Sequence, residues 1–321
     1  MKINTNQNVI HQITVPTPFL VGDVNVFAVQ GKQNILIDTG PDTPEAVEAL
    51  TEGLKEIGLA LEDIDILILT HHHPDHIGLA YMFESTAITA GHRKLQPWLE
   101  KDMEHYSRIH DFFQEFLTEN GMDKRWIDKI QSQRDHYVKY SRPVQLNCIL
   151  KEGDQCPGMP GWNVIETPGH AQSHIALMQQ EDNVMIAGDH IIGHISSNAI
   201  IEAPYKEEKS RPKTLLQYRT SLKKCTEASK VFAGHGKSVD DPGALITKRL
   251  NEQDSKAEMF LRKLGNEKKS VFELCREVYP EIHRKQPDLT FSETLGHLDL
   301  MEAEGRTAAK KKNGVYLYEK I

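Results

Sequence analysis

The sequence predicts a mixed α/β catalytic domain with a helical insertion, followed by a small domain of helices closed by a β-hairpin. Three observations lead there. Up to position 241, short β-prone runs alternate with stretches of helical periodicity. Side chains able to bind metal recur just after the apolar runs, beside glycine or proline. After Pro242 the chain becomes charged and helix-rich, and it closes on two β-prone runs around Asn313-Gly314. The expected boundaries are 1–241 for the catalytic domain, with 93–140 inserted, and 242–321 for the C-terminal domain.

Residues 24–29 and 34–38 are β-prone and joined by the turn-forming QGKQN, so a hairpin is expected. Val47, Leu50, Leu54 and Ile57 recur at helical spacing through 44–57. The run IDILILT, 64–70, is apolar on both faces, as a strand covered on both sides must be. Its carboxyl end delivers HHHPDH, where Pro74 suits the first turn of a short helix over 74–83. TAITA, 86–90, reads as a strand, and 93–140 as helical, with Trp98, Tyr106, Phe112, Phe113 and Phe116 either lining a substrate wall or packing into a core. Strands follow at 144–150, 162–167, 175–180 and 184–187, then a helix at 212–227 and a strand at 230–233. Helices at 245–264, 271–278 and 292–304 before the final hairpin outline a winged-helix module.

Composition excludes some roles. With 39% hydrophobic and 26% charged residues the chain can bury a core, and its net charge of -8 gives no global attraction to nucleic acid or anionic membranes. Cys148, Cys156, Cys225 and Cys275 form no C-x-x-C pair, which suits a reducing compartment. The polar MKINTNQNVIHQITV does not read as a secretory signal, and no run approaches the roughly 20 apolar residues that span a bilayer. A cytoplasmic location is expected.

His71, His73, Asp75 and His76 form H-x-H-x-D-H, whose chance occurrence is on the order of one in several hundred at ordinary residue frequencies. In an extended segment His71 and His73 project to the same side. Asp75 and His76, just past the turn, can address a second ion. TPGH ending at His170, AGD ending at Asp189 and AGHG containing His235 each follow an apolar run. Imidazoles and carboxylates suit zinc, with iron or manganese open to the same ligands. Two such divalent ions lower the pKa of a shared water from about 15.7 toward 7, so no serine nucleophile is required.

The ordered set IDTG, H-x-H-x-D-H, TPGH, AGD and AGHG resembles that of the metallo-β-lactamase superfamily over about residues 9–240. The resemblance implies an αββα sandwich with its metals at one edge. It implies one ion on His71, His73 and His170, a second on Asp75, His76 and His235, and Asp189 bridging them. Asp38 would support the ligands nearby. His190, beside Asp189, is a further supporting candidate, and His194 a weak candidate for the substrate cleft. His72 is expected to face away, and His174 to support its loop.

The expected reaction is hydrolysis by metal-bound hydroxide attacking a thioester, ester or lactone carbonyl, with Asp75 orienting the attack and passing a proton to the leaving group. Asp189 stands where some β-lactamases of the superfamily carry a cysteine ligand, so the chain is more similar to the glyoxalase II group and to β-lactamase-like proteins with a C-terminal winged helix. Some of the latter cleave RNA, which makes an endoribonuclease or other phosphodiesterase the first alternative. Only 45 residues separate Asp189 from His235, too few for the long insertion of large RNA-processing relatives. An iron-dependent sulfur dioxygenase is the second alternative. A DNA-binding role fits poorly, since FSETLGHLDLMEAEGR holds one arginine and several acids. Lys310 to Lys312 are expected to be a solvated wing tip. The partners expected are a small-molecule substrate and a possible second copy of the chain, with nucleic acid disfavoured and no membrane.

Overall fold

The structure is a computed structural model and describes residues 2–4 and 9–321. Seven strands form the first sheet in sequential order: β1 (Lys2–Asn4), β2 (Val9–Val15), β3 (Val24–Gln30), β4 (Ile35–Ile37), β5 (Ile66–Leu69), β6 (Ile88–His92) and β7 (Cys148–Leu150). The first four pair antiparallel, whereas β4 to β7 run parallel. Parallel neighbours need crossovers, and α1 (Pro44–Glu56) supplies the one between β4 and β5. Thr43 caps it by accepting the Ala46 N–H, Pro44 occupies its first turn, and Ala46, Leu50 and Leu54 are buried.

Four strands make the second sheet in the order β11-β10-β9-β8, with β8 (Trp162–Glu166), β9 (Ile175–Gln179), β10 (Val184–Ile186) and β11 (Lys230–Phe232). Alternation assigns each face its partner. Ile35, Ile37, Ile66 and Ile68 meet Trp162, Val164, Ile175, Leu177 and Phe232 between the sheets. Leu36, Leu67 and Leu69 point the other way, into a layer with Leu50, Leu54 and Phe83. Thus the central strands are buried on both faces, as their unbroken apolar runs require. On the outer face of the second sheet, Ala176, Met185 and Val231 pack with Leu215, Tyr218 and Leu222 of α6 (Thr214–Lys224). Helix, sheet, sheet and helix are therefore stacked in that order.

Between β5 and β6 lies the short α2 (Pro74–Ile77), and after β6 come α3 (Gln96–Leu99), α4 (Met103–Glu119) and α5 (Lys124–Tyr137), the expected insertion. The C-terminal segment contains α7 (Pro242–Leu264), α8 (Val271–Val278), α9 (Ile282–Lys285), α10 (Pro287–Ala303) and a hairpin, β12 (Thr307–Lys312) with β13 (Val315–Lys320). Asn313 and Gly314 have φ of 50° and 84°, the left-handed pair a two-residue hairpin turn demands. Several elements differ from expectation: β2 is a strand the sequence reading does not single out, and the helix expected over 74–83 divides into α2 and a separate 3-10 turn at Ala80–Phe83. Residues 144–147 are not strand, and α10 begins at Pro287, five residues before the helix read from the sequence. That helix is buried on nearly every side, with Thr290 and Thr294 returning their hydroxyls to backbone carbonyls, so its sequence shows no apolar stripe.

The C-terminal helices share one apolar cluster with the insertion and the second sheet: Phe113 and Leu117 of α4 lie with Phe260, Phe272, Phe291 and Leu295. Arg211 clamps Asp299 of α10 with two 2.7 Å hydrogen bonds. Among the described residues no helix is long and apolar enough to cross a membrane.

Candidate metal centre

Every polar residue singled out in the five motifs lies just beyond the carboxyl end of a strand: Asp38 after β4, His71 to His76 after β5, His170 after β8, Asp189 after β10 and His235 after β11. Both sheets therefore contribute, and backbone bonds sew their ends together. Ile175 N–H donates to the Thr70 carbonyl, and Gly234 N–H to the Gly188 carbonyl. Close approach needs the glycines here. A Cβ on Gly234 would stand 2.4 Å from Asp189 Oδ1, and one on Gly188 2.8 Å from Thr70 Oγ1.

Two groups result. His71, His73, His170 and Asp189 each offer a ligand atom within 4.8 Å of the others, and so do Asp75, His76 and His235. Asp189 links them, because its Oδ1 lies 3.3 Å from His76 Nε2 and 3.4 Å from His235 Nε2 while its Oδ2 is 3.6 Å from His170 Nε2. Asp75 Oδ2 is 3.4 Å from His235 Nε2. All seven are buried except His73, which is half-buried.

Outward hydrogen bonds decide which nitrogen of each ring faces inward. His170 Nδ1 lies 2.9 Å from the Asn198 carbonyl and His235 Nδ1 2.8 Å from that of Asp23. A carbonyl only accepts, so both rings carry a hydrogen on Nδ1 and turn Nε2 to the centre. His76 does the same through Nδ1 to Asp38 Oδ2, at 2.8 Å. On the inner side, His71 Nε2 and His170 Nε2 both approach His73 Nδ1 at 3.0 Å, where one hydrogen at most can serve two contacts.

His76 Nε2, Asp189 Oδ1 and His235 Nε2 are buried without any hydrogen-bond partner among the described residues. Three adjacent orphans are costly unless something positive sits between them. Electrostatics agrees. Burial depresses the charged form of His235, but Asp189 and Asp75 outweigh it and raise its pKa to about 10. His76 is raised for a similar reason, burial being overcome by Asp189 and Asp38. Burial also penalises an ionised Asp189, yet His76 and His235 hold its carboxyl well below the usual range. In contrast, burial keeps His71 and His73 neutral, with pKa values lowered further by neighbouring imidazoles. The donor set, imidazoles beside carboxylates, fits divalent cations.

Other sequence candidates lie around this centre. Asp38, with φ of 62°, accepts from the Thr70 N–H at 2.8 Å as well as from His76. His174 accepts the Asp189 N–H at 3.1 Å and so supports the loop, as expected. His72 faces away from both groups: it pairs with Ser173 Oγ at 2.9 Å and stacks on Trp98 at 4.1 Å. Its burial was not foreseen. His190 is buried, its ring nitrogens have no partner among the described residues, and it touches none of the seven by a hydrogen bond; it packs edge-on against Tyr218 at 5.3 Å. His194 is exposed and rests against Gly236, next to His235. Of the insertion's aromatic residues, Trp98 reaches the ligand loop, whereas Phe112, Phe113 and Phe116 belong to the apolar cluster. Sequence reading missed Thr70, Asp23, Ser197 and Asn198, the partners of the imidazoles. Only Thr70 left a sign, as the one polar residue ending a strand otherwise wholly apolar.

The family model described as "Metallo-beta-lactamase superfamily" matches residues 20–225. "Probable metallo-hydrolase YqjP" of Bacillus subtilis is 39% identical over 304 residues, spanning 94% of each chain. "Beta-lactamase-like protein 2 homolog" of Drosophila melanogaster is 22% identical, over 95% of this chain and 91% of its own. A solved structure of a metallo-beta-lactamase family protein from Thermus thermophilus aligns with a TM-score of 0.78 at 25% identity, covering 97% of this chain and 98% of that one. The fold, the paired metal-competent groups and these relatives agree that the chain belongs to the metallo-beta-lactamase superfamily.

Proposed function

We propose that this protein hydrolyses a thioester, ester or lactone carbonyl with two divalent ions, zinc first, with iron or manganese as alternatives. One observation carries the reading: seven side chains from several strand ends turn lone pairs and carboxylate oxygens into a shared buried space. His71, His73 and His170 would hold one ion, and Asp75, His76 and His235 the other, with one oxygen of Asp189 toward each. Bound there, such ions supply Lewis acidity that ionises water near neutral pH and polarises a carbonyl oxygen. Asp75 would orient the attacking water and carry a proton to the leaving group. Asp38 would act behind His76.

An acyl substrate is favoured by the rim. Phe19 packs edge-on at 5.3 Å against both Tyr137 and Tyr140, and Leu20 is 90% exposed in the loop leading to Asp23. Arg142, after Tyr140 in the chain, is engaged with Asp42 at 2.7 Å. An apolar flank of this kind suits a carbon chain better than a phosphodiester backbone. Helices α7, α8 and α10 followed by the hairpin support a winged-helix module that braces the catalytic part. Four cysteines without disulfides support a reducing cytoplasmic setting.

The test is turnover by purified, zinc-loaded protein on an acyl-thioester, ester and lactone panel beside single-stranded RNA. Carbonyl hydrolysis lost in His71→Ala is the expected outcome. RNA cleavage lost in that variant, with no acyl turnover, or oxygen uptake with a persulfide substrate, would replace the reading.

A further inference from the structure

Asp38 serves both ligand groups while belonging to neither, and it reaches them by different routes. To His76 the contact is direct, Nδ1 to Oδ2 at 2.8 Å. His71 is reached only through Thr70, whose Oγ1 lies 2.8 Å from Asp38 Oδ2, 3.1 Å from Oδ1 and 3.0 Å from His71 Nδ1. A carboxylate has no hydrogen to give, so the threonine hydroxyl must donate to Asp38. Its oxygen is then left to accept the Nδ1–H of His71, and the Nε2 lone pair of that ring faces His73 and the centre. Thr70 is fully buried, and the backbone of Gly188 packs close to its hydroxyl, where an added Cβ would lie 2.8 Å away.

We propose that Thr70 is a positioning residue specific to the His71–His73–His170 group, its hydroxyl setting the tautomer of His71 and relaying the Asp38 carboxylate to that ring. The inference rests on the two-metal reading above. It separates the two ions by their wiring: loss of the Thr70 hydroxyl would strip His71 of its outward acceptor but leave His76, His170 and His235 with theirs. An ordinary strand-end threonine, satisfied by Asp38 and nothing more, would affect stability without preferring one ion.

Zinc affinity, measured by competition with a chromophoric chelator, distinguishes these. In a His235→Ala background, which keeps the first group intact, Thr70→Val is expected to weaken zinc binding about 10- to 100-fold, the range found when partners of metal-bound histidines are removed. In a His71→Ala background, which keeps the second group, the same change should cost less than about threefold, and Thr70→Ser should restore the affinity of the first group. Thr70→Ala repeats the comparison without a methyl against Gly188, should the valine variant not fold. Unchanged affinity in the first background, equal loss in both, or no rescue by serine overturns the inference and leaves the two-metal reading standing. The comparison is run with whichever of zinc, iron and manganese the parent protein binds, and a parent protein that takes up none of the three overturns both.

Discussion

At the edge of the sandwich and around α10 the protein buries its side chains to a similar degree, but the two regions solve different problems. His71, His76 and His235 are inaccessible, yet their inner nitrogens face one another and two of the three lack a hydrogen-bond partner. Around α10, Phe260, Phe272, Phe291 and Leu295 fill the same kind of space with apolar atoms, and the hydroxyls among them bond to their own helix. The first region gathers lone pairs and carboxylates that a bound cation would satisfy. The second is complete by itself and needs only to stay covered. Metal occupancy and global stability are therefore separable properties, set in different places.

The sharpest way to break that contrast is to remove a ligand. Asp189→Ala, which deletes the side chain facing both groups, should lower hydrolysis by about 10³-fold or more and reduce zinc content, with circular dichroism unchanged. A loss of folded structure of the same size would show that the corner also holds the fold. The reverse test is Phe291→Ala, which should cost about 3–5 kcal/mol in urea unfolding while the zinc stoichiometry stays at the parent value.

A smaller effect is expected from pH. Without metal, Asp189 and Asp75 push the His235 pKa up to about 10, and His76 is raised as well, against an ordinary histidine value near 6.5. Their contribution to stability is complete below pH about 6.5 and is lost as pH rises toward 10. Bound metal displaces those protons, so the melting temperature should fall across this window for chelated protein and stay level for zinc-loaded protein. Parallel curves would mean that carboxylate-imidazolium attraction does not stabilise the empty corner. Least of all should matter Lys310→Ala at the hairpin tip, where Lys310 meets Glu319 at 3.1 Å while largely exposed; a change within about 0.5 kcal/mol is expected in the same urea assay.

Much of this contrast could be read from residue order. H-x-H-x-D-H, TPGH, AGD and AGHG stand at the ends of apolar runs, and strand ends are where a sandwich gathers polar side chains; the structure brings the seven together as two adjacent groups. The insertion and the hairpin turn at Asn313 and Gly314 were legible for similar local reasons. The start of α10 was not, because a helix covered on all sides has no polar face to give its period away. Likewise, that Phe113 shares a cluster with Phe291 across a separation of many elements has no local signature.

By itself the chain order determined which residue types were available for metal chemistry and which strands would present them, since burial pattern and turn chemistry act over a few neighbouring residues. Only the tertiary structure decided which nitrogen each imidazole offers. Those choices are made by Asp23, Asp38, Thr70 and Asn198, most of them far along the chain from the rings they hold, and a hydrogen bond is specified by distance and direction in space.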